Sequence, residues 1–320
     1  MKSRAFFFTL LSTIAIGITA SLPAQAQRAR VFVSVNGNDS NPCTALSPCR
    51  NFQAAHDAVQ AGGEVDVLDT GGYGTLLITK SISIVNPGGV VASIATASQQ
   101  TAITITVGVS DTVSLRGLTL DGASVGANGI AFGGGGTLEI ADCVVRKYLS
   151  DGIIFNPNAA SVLKVTNSEF NDNGNAGIDI APHTAASVLG TLDHVGFYNN
   201  QIDGLDLFNT SSTAAINVTV KDSVASNNGE PNFGAGLIAQ SPGTAPTHLI
   251  VVRSVISNNA GFGIFSDGSG AHVIVDESTI FNNAHAWGAS TPAFIFTHGN
   301  NSVEDNAADF GPQIPAAPLE

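Results

Sequence analysis

Apolar and polar positions alternate along this chain in short runs of three to five residues. Leu163-Lys164-Val165, Ser168-Glu169-Phe170 and Ile178-Asp179-Ile180 are typical, and Asn and Gly punctuate them. Alternation of period two marks a strand with one buried face. Runs this short do not make useful hairpins, and the segments between them lack regular Asn-Gly two-residue loops.

The runs recur. GLTLDG ending at Gly122, CVVRKY at Tyr148, SEFNDN at Asn173, VGFYNN at Asn200, SVASNN at Asn228, SVISNN at Asn259 and STIFNN at Asn283 align with steps of 26, 25, 27, 28, 31 and 24 residues. After most of them comes Gly and a branched apolar residue, as in Gly129-Ile130, Gly177-Ile178 and Gly263-Ile264. A period in the twenties marks a repeat architecture. The pattern predicts an all-β coil with three short strands per turn, each stacked in parallel on its equivalent one repeat later.

The recurring slots then acquire roles. Ser168, Ser223, Ser254, Ser278 and Cys143 are expected to stack as small side chains near a turn. The Asn column is expected to form amide ladders and left-handed corners, and Gly before Ile to allow a bend into the next strand. A second corner column, read as Arg116, Asp142, Asn167, His194, Asp222, Arg253 and Glu277, alternates charge and suits solvated ladder pairs. Coils over 64–306 would form a rod on the order of 45 Å long at about 4.8 Å per coil, filled by Ile, Leu, Val and Phe. A solenoid exposes strand edges at its ends. Ser47-Pro48, then Phe52, Ala55 and Val59 at helical spacing, then Gly62-Gly63, predict a capping helix over 48–61 within a cap segment 27–63. Pro312, Pro315 and Pro318 mark a tail over 307–320.

Residues 1–26 read as a secretory signal. Lys2 and Arg4 start it, Ala5 to Ile18 is apolar, and Ala24-Gln25-Ala26 is a small-residue cleavage site. No later run is long and apolar enough to span a bilayer. The expected product is secreted or periplasmic, a monomer, and not inserted in a membrane. The full chain has 12 Lys and Arg against 25 Asp and Glu. Removing Lys2 and Arg4 leaves a net charge near −15, which repels nucleic acid and disfavours polyanions unless a cation bridges them. In an oxidising compartment Cys43 and Cys49, six apart in NPCTALSPCR, are expected to form a disulfide. Cys143 is expected to be a buried thiol in the stack.

The strand–corner pattern, the Asn column and the start VSVNGNDSNPCTALSPCRNFQAAHDAVQAGGEVDVLDTGGYG (33–74) together resemble the right-handed parallel β-helix proteins of the pectate-lyase-like superfamily. The resemblance covers nearly all of the chain after the signal. It implies a right-handed coil and a fold shared by polysaccharide lyases, glycoside hydrolases, uronate epimerases and non-catalytic binding modules. Activity must come from groups that the coil does not need.

On the Gly-Ile strand the outward positions are Ala131, Ile154, Asp179, Asp206, Ile238 and Phe265. Two outward aspartates on adjacent coils would lie roughly 5 Å apart at the backbone. Like charges that close need a retained proton or a bridging cation such as Ca²⁺, for which Asp179 and Asp206 are the candidate ligands. Either serves glycan chemistry: the pair as acid and partner in glycoside hydrolysis, or calcium acidifying the proton beside a uronate carboxylate. Asp203 and Asp151, each before Gly, add acid at the corner. His183 follows in GIDIAPHTAAS, and Arg146, Lys147 and Lys164 are the cations nearest in sequence. Asp179, Asp206, His183 and Lys147 are the catalytic candidates; Asp203, Ile154 and Phe265 are the substrate-binding candidates. GIDIAPH is also similar to the Tyr-Gly-Phe-Asp-Pro-His site of alginate C5-epimerases, which implies catalytic roles for Asp179 and His183. Here Ala176 stands at the Tyr position, and two residues separate Asp179 from Pro182-His183.

Two functions follow. One is a polysaccharide lyase or glycoside hydrolase working at Asp179 and Asp206 on an extracellular polysaccharide. The other is a non-catalytic surface or matrix solenoid that binds glycans or cells, favoured by a chain with one Trp and three Tyr for sugar stacking. No His or Cys cluster has transition-metal ligand spacing.

Overall fold

The computed structural model describes residues 28–308 except 184, 212, 232 and 291. The signal expected at 1–26 and the tail from 309 onward lie outside the described residues. The chain winds as a right-handed parallel β-helix. Its strands form three faces along the rod, the first two merged into one 19-stranded sheet and the third sheet standing apart, and each strand pairs in parallel with its equivalents one coil before and after. The third sheet holds nine strands: Leu76–Ile78, Ile103–Ile105, Ile130–Phe132, Ile153–Phe155, Ala176–Ile180, Asp203–Phe208, Ala235–Gln240, Phe262–Asp267 and His285–Ala289. At about 4.8 Å per strand this stack is on the order of 40 Å long.

Alternation decides what faces in. Ile130, Ile153, Ile178, Leu205, Leu237 and Ile264 stack inside, each at most 1% exposed. Phe132 stacks on Phe155 with ring centroids 4.5 Å apart, and Phe170 on Phe197 at 6.0 Å. In two coils the first and second runs form one strand, Ser161–Asn171 and Val188–Tyr198, bent at left-handed Asn167 (φ 47°) and His194 (φ 56°).

The Asn column is a buried amide ladder. Nδ2 of Asn173, Asn200, Asn228, Asn259 and Asn283 donates to Oδ1 of the next Asn up the rod at 2.9, 2.9, 3.1, 2.8 and 3.0 Å, ending at Asn306. The residue before each is the left-handed corner: Asp172, Asn199, Asn227, Asn258, Asn282 and Asp305. The small-residue column works similarly, with Ser223 N–H donating to Ser254 Oγ (3.2 Å) and Ser254 N–H to Ser278 Oγ (3.1 Å). Cys143 stands in that column as a buried thiol, its pKa pushed up to about 11 by burial.

Three readings change. The glycines before Ile are there for close approach, not for a bend. A Cβ on Gly177 would lie 2.7 Å from the Gly204 carbonyl oxygen and 3.0 Å from Asn200 Nδ2. In the charged column Ala141 pairs with Arg116, so Gly117 (φ 70°) takes the corner and Arg116 reaches across to Asp142 at 3.1 Å. The capping helix is Phe52–Ala58 with Asn51 as N-cap, shorter than 48–61. Residues 47–49 cannot join it because they are held as extended chain: Ser47 bridges Thr44, and Cys49 N–H donates to Phe32 O at 3.0 Å. Phe52, Ala55 and Val59 are fully buried on the first coil, as their spacing predicts.

Cys43 and Cys49 form a disulfide. Closing so short a loop stabilises by about 2 kcal/mol on the chain-entropy argument. Cys43→Ser with Cys49→Ser is therefore expected to speed amide exchange in Phe52–Ala58 while leaving the Asn ladder protected. Uniform deprotection along the rod would contradict this local role. At the other end Ala308 still makes a parallel bridge to His285.

Candidate functional site

Strand Ala176–Ile180 pairs with Asp203–Phe208 so that Asp179 lies beside Asp206 and Ala176 beside Asp203. Ile154 precedes Asp179 in this outward column, and Ile238 and Phe265 follow Asp206. The inward neighbours Ile178, Ile180, Leu205 and Leu207 are fully buried. Both acids therefore project from the outer face, as period-two alternation requires.

Four carboxyls gather there, two of them committed to the backbone. Asp151, 2% exposed, accepts from Asn175 Nδ2 (2.7 Å), Ser150 Oγ (2.8 Å) and the Ala176 N–H (3.1 Å). Asp203, 6% exposed, accepts from the Ala235 N–H at 2.7 Å. Each ties its coil to the next at the corner entering the third sheet. Asp206 accepts from Gln240 Nε2 at 3.0 and 3.2 Å. Asp179 is different: its Oδ1 is buried with no hydrogen-bond partner.

These environments raise the carboxyl pKa values. Burial, then the charges of Asp206, Asp151 and Asp203, push Asp179 up to about 8. Burial and Asp206 take Asp203 to about 8. Burial raises Asp206 to about 6, held lower by the Gln240 amide. Asp151 is also raised, chiefly by burial. The charges acting on Asp179 are all acidic.

A cavity of about 300 Å³ opens against Gln240, which donates to Asp206; neither Asp179 nor Asp206 lines it. Asp203 and Gln240 line it, with Ile238, Phe233, Phe262 and Phe265 as apolar walls. Ile154 lies on the other side of Asp179 and does not line it. His183 is exposed beyond the strand end, its N–H bonded to Pro157 O at 2.9 Å. Three residues, Ile180, Ala181 and Pro182, stand between it and Asp179, a reach of at most about 13 Å of chain. Lys147 is an exposed left-handed corner residue (φ 59°) whose backbone joins Asn171 and Ser124. Neither is among the charges that act on Asp179. Arg146 pairs with Asp121 and Lys164 with Glu139, both at 2.9 Å.

Of the cavity's lining the sequence reading named Asp203 and Phe265 and missed Gln240, Phe233 and Phe262. Gln240 was findable, since residues 238 and 240 of one strand share a face. Phe233 carried a subtler signal, the 31-residue coil in which it falls.

A calcium ion takes six to eight oxygens and would draw them from carboxyls most of which are already engaged. Asp151, Asp203 and Asp206 already accept hydrogen bonds, and Asp179 alone is uncommitted. Among the described residues the trio with ligand atoms within 4.8 Å of one another is Asp193, His194 and Asp222, at a corner of the coil away from this sheet. A retained proton eases the repulsion at Asp179, in keeping with its raised pKa.

Residues 128–308, more than half of the chain, match the family model described as the right-handed β-helix region. The chain belongs to the right-handed β-helix family. No curated protein sequence matches this β-helix protein. Among solved structures it resembles pectate lyase Pel9A at 20% identity and a TM-score of 0.64, over 92% of this chain and 82% of that one. A rhamnogalacturonan lyase aligns at 14% identity and 0.69, over 89% and 85%. An alginate lyase from Paenibacillus sp. str. FPU-7 aligns at 12% and 0.63, over 90% and 99%. At these identities the likeness concerns the fold. Among the described residues no helix is long and apolar enough to cross a membrane.

Proposed function

We propose that this β-helix protein is an exported glycoside hydrolase acting on a neutral polysaccharide, with Asp179 as general acid and Asp206 as its partner carboxylate. The observation that carries the reading is the unpartnered, buried Oδ1 of Asp179 beside Asp206. Environments that drive two carboxyl pKa values apart, here to about 8 and about 6, suit an acid and a base at one pH. The outward carboxyls on a fold shared with polysaccharide lyases support glycan chemistry. Lysis of a uronate chain is disfavoured, because a polyanion would meet four aspartates and no facing cation.

In the proposed step Asp179 gives its proton to the glycosidic oxygen as the bond to the anomeric carbon breaks. Asp206 adds to that carbon, forming an ester. Water then displaces the ester, giving its proton to Asp179 and returning Asp206 as carboxylate. Strands about 4.8 Å apart set the carboxyls near the roughly 5 Å spacing of retaining enzymes rather than the wider inverting one.

Reducing-end release from a panel of neutral and acidic polysaccharides tests the reading. Cleavage of a neutral polymer with retained anomeric configuration is expected, and glycan binding without turnover in the purified protein would favour the non-catalytic solenoid instead. The profile of kcat/KM against pH is expected to be bell-shaped, with limbs near 6 and 8. Gln240→Leu removes the donor that holds Asp206 ionised, so its acid limb is expected to move up by about one pH unit, the worth of a hydrogen bond to a charge. An unmoved acid limb would remove Asp206 from the ionised role.

A further inference from the structure

The coil step from Asn228 to Asn259 is 31 residues, the longest of the steps between the aligned corners from Gly122 to Asn283, and its extra length falls at one corner. Residues 229–231, 233 and 234 leave the coil there as a built turn. Gly229 (φ 88°) and Gly234 (φ 81°) bracket it in the left-handed region, and a Cβ on Gly234 would collide with the Ile202 carbonyl. Glu230 and Phe233 exchange backbone hydrogen bonds of 3.0 and 2.9 Å across it. Gln201 Nε2 on the preceding coil donates to Glu230 Oε1 at 2.6 Å, fixing the turn from outside.

This turn holds Phe233 out, 60% exposed, where it forms a wall of the cavity that Gln240, the hydrogen-bond donor to Asp206, also lines. Phe262 and Phe265, with ring centroids 4.5 Å apart, form the other aromatic side. An exposed apolar residue alone is ordinary. Here the ring sits on a pinned excursion that the coil does not need, facing a cavity at the low end of small-ligand site volumes. A pyranose has an apolar C–H face that stacks on an aromatic ring and hydroxyls for the polar floor. Asp203 and Gln240 supply that floor. A uronate carboxylate would find carboxyls and phenyl rings there in place of a cation.

We propose that the turn bracketed by Gly229 and Gly234 is a specificity element, and that Phe233 on it is the stacking platform for one neutral pyranose in the subsite next to Gln240, the donor to Asp206. This rests on the hydrolase reading for the placing of the subsite, but binding is measurable without turnover.

The test measures binding of cellohexaose, xylohexaose, mannohexaose and hexagalacturonate by calorimetry, in the Asp179→Asn background, with and without Phe233→Ala. At least one neutral hexaose is expected to bind. Phe233→Ala is expected to weaken it tenfold or more with Tm unchanged, Phe233→Trp to retain it, and hexagalacturonate to bind at least tenfold more weakly. Equal binding by Phe233→Ala, tighter binding of hexagalacturonate, or no binding of any neutral hexaose overturns the proposal. Loss of binding in Phe233→Ala with no turnover by the unmodified protein sinks the hydrolase reading and leaves the platform. Cleavage with unchanged KM in Phe233→Ala sinks the platform and leaves the hydrolase.

Discussion

Asp179→Asn is expected to lower kcat/KM for glycan cleavage by about 10² to 10⁴, the worth of a positioned general acid, and at the same time to raise Tm at pH 8 by about 5 °C. The two effects have opposite signs for one physical reason. The folded protein raises the Asp179 pKa to about 8 from its ordinary value of 3.8, so between those values it binds more protons than the unfolded chain. Stability is fully present below about pH 4 and is lost as pH rises through about 8. Asn keeps the shape and cannot ionise, so the alkaline side of that slope flattens. Activity and thermal melts across pH 4 to 9 check both. A variant that keeps activity, or one whose melting still falls as steeply as the parent's, would contradict the assignment.

Asn228→Leu is expected to destabilise the protein by about 4 kcal/mol, read as a lower urea midpoint at unchanged slope. Asn228 is fully buried. Its Oδ1 accepts from Asn200 N–H (3.1 Å) and Nδ2 (2.9 Å), and its Nδ2 donates to Asn259 Oδ1 (3.1 Å) and Phe197 O (3.0 Å). Leu leaves those partners buried and unpaired, at about 1–3 kcal/mol for each orphaned group. The neighbouring Asn227→Ala should cost only about 1 kcal/mol, the penalty of a left-handed backbone on a residue with a Cβ. Asn227 is exposed and stands at φ 59°. Equal costs at the two positions would show that the ladder adds nothing beyond the corner.

The coil was legible because it is written several times. Each copy of Ser, Asn-Asn and Gly-Ile occupies the same physical slot, so errors in one repeat are corrected by the next. Where a slot is filled once, reading fails. Pro48 looks like a helix start until Cys49 is seen hydrogen-bonded to the first strand. The glycine column was located correctly and misexplained, because a bend and a close approach leave the same letter. The outward pairing of Asp179 with Asp206 followed from period two and the 27-residue step alone. His183 and Lys147 did not follow, since nearness in sequence says nothing about where a strand ends or which way a left-handed corner points. Gln240 stands two residues after Ile238 on one strand and was within reach of period two, whereas Phe233 comes from an excursion that pattern reading along one strand does not reach.

Carbon-13 titration of the aspartate side-chain carboxyls tests the central claim most directly, since it reads protons on named residues without substrate. The account predicts that Asp206 titrates near 6 and Asp179 stays protonated to near 8, with the Asp179 step moving down when Asp206 is replaced by Asn. Two carboxyls that both ionise below about 5 would contradict it.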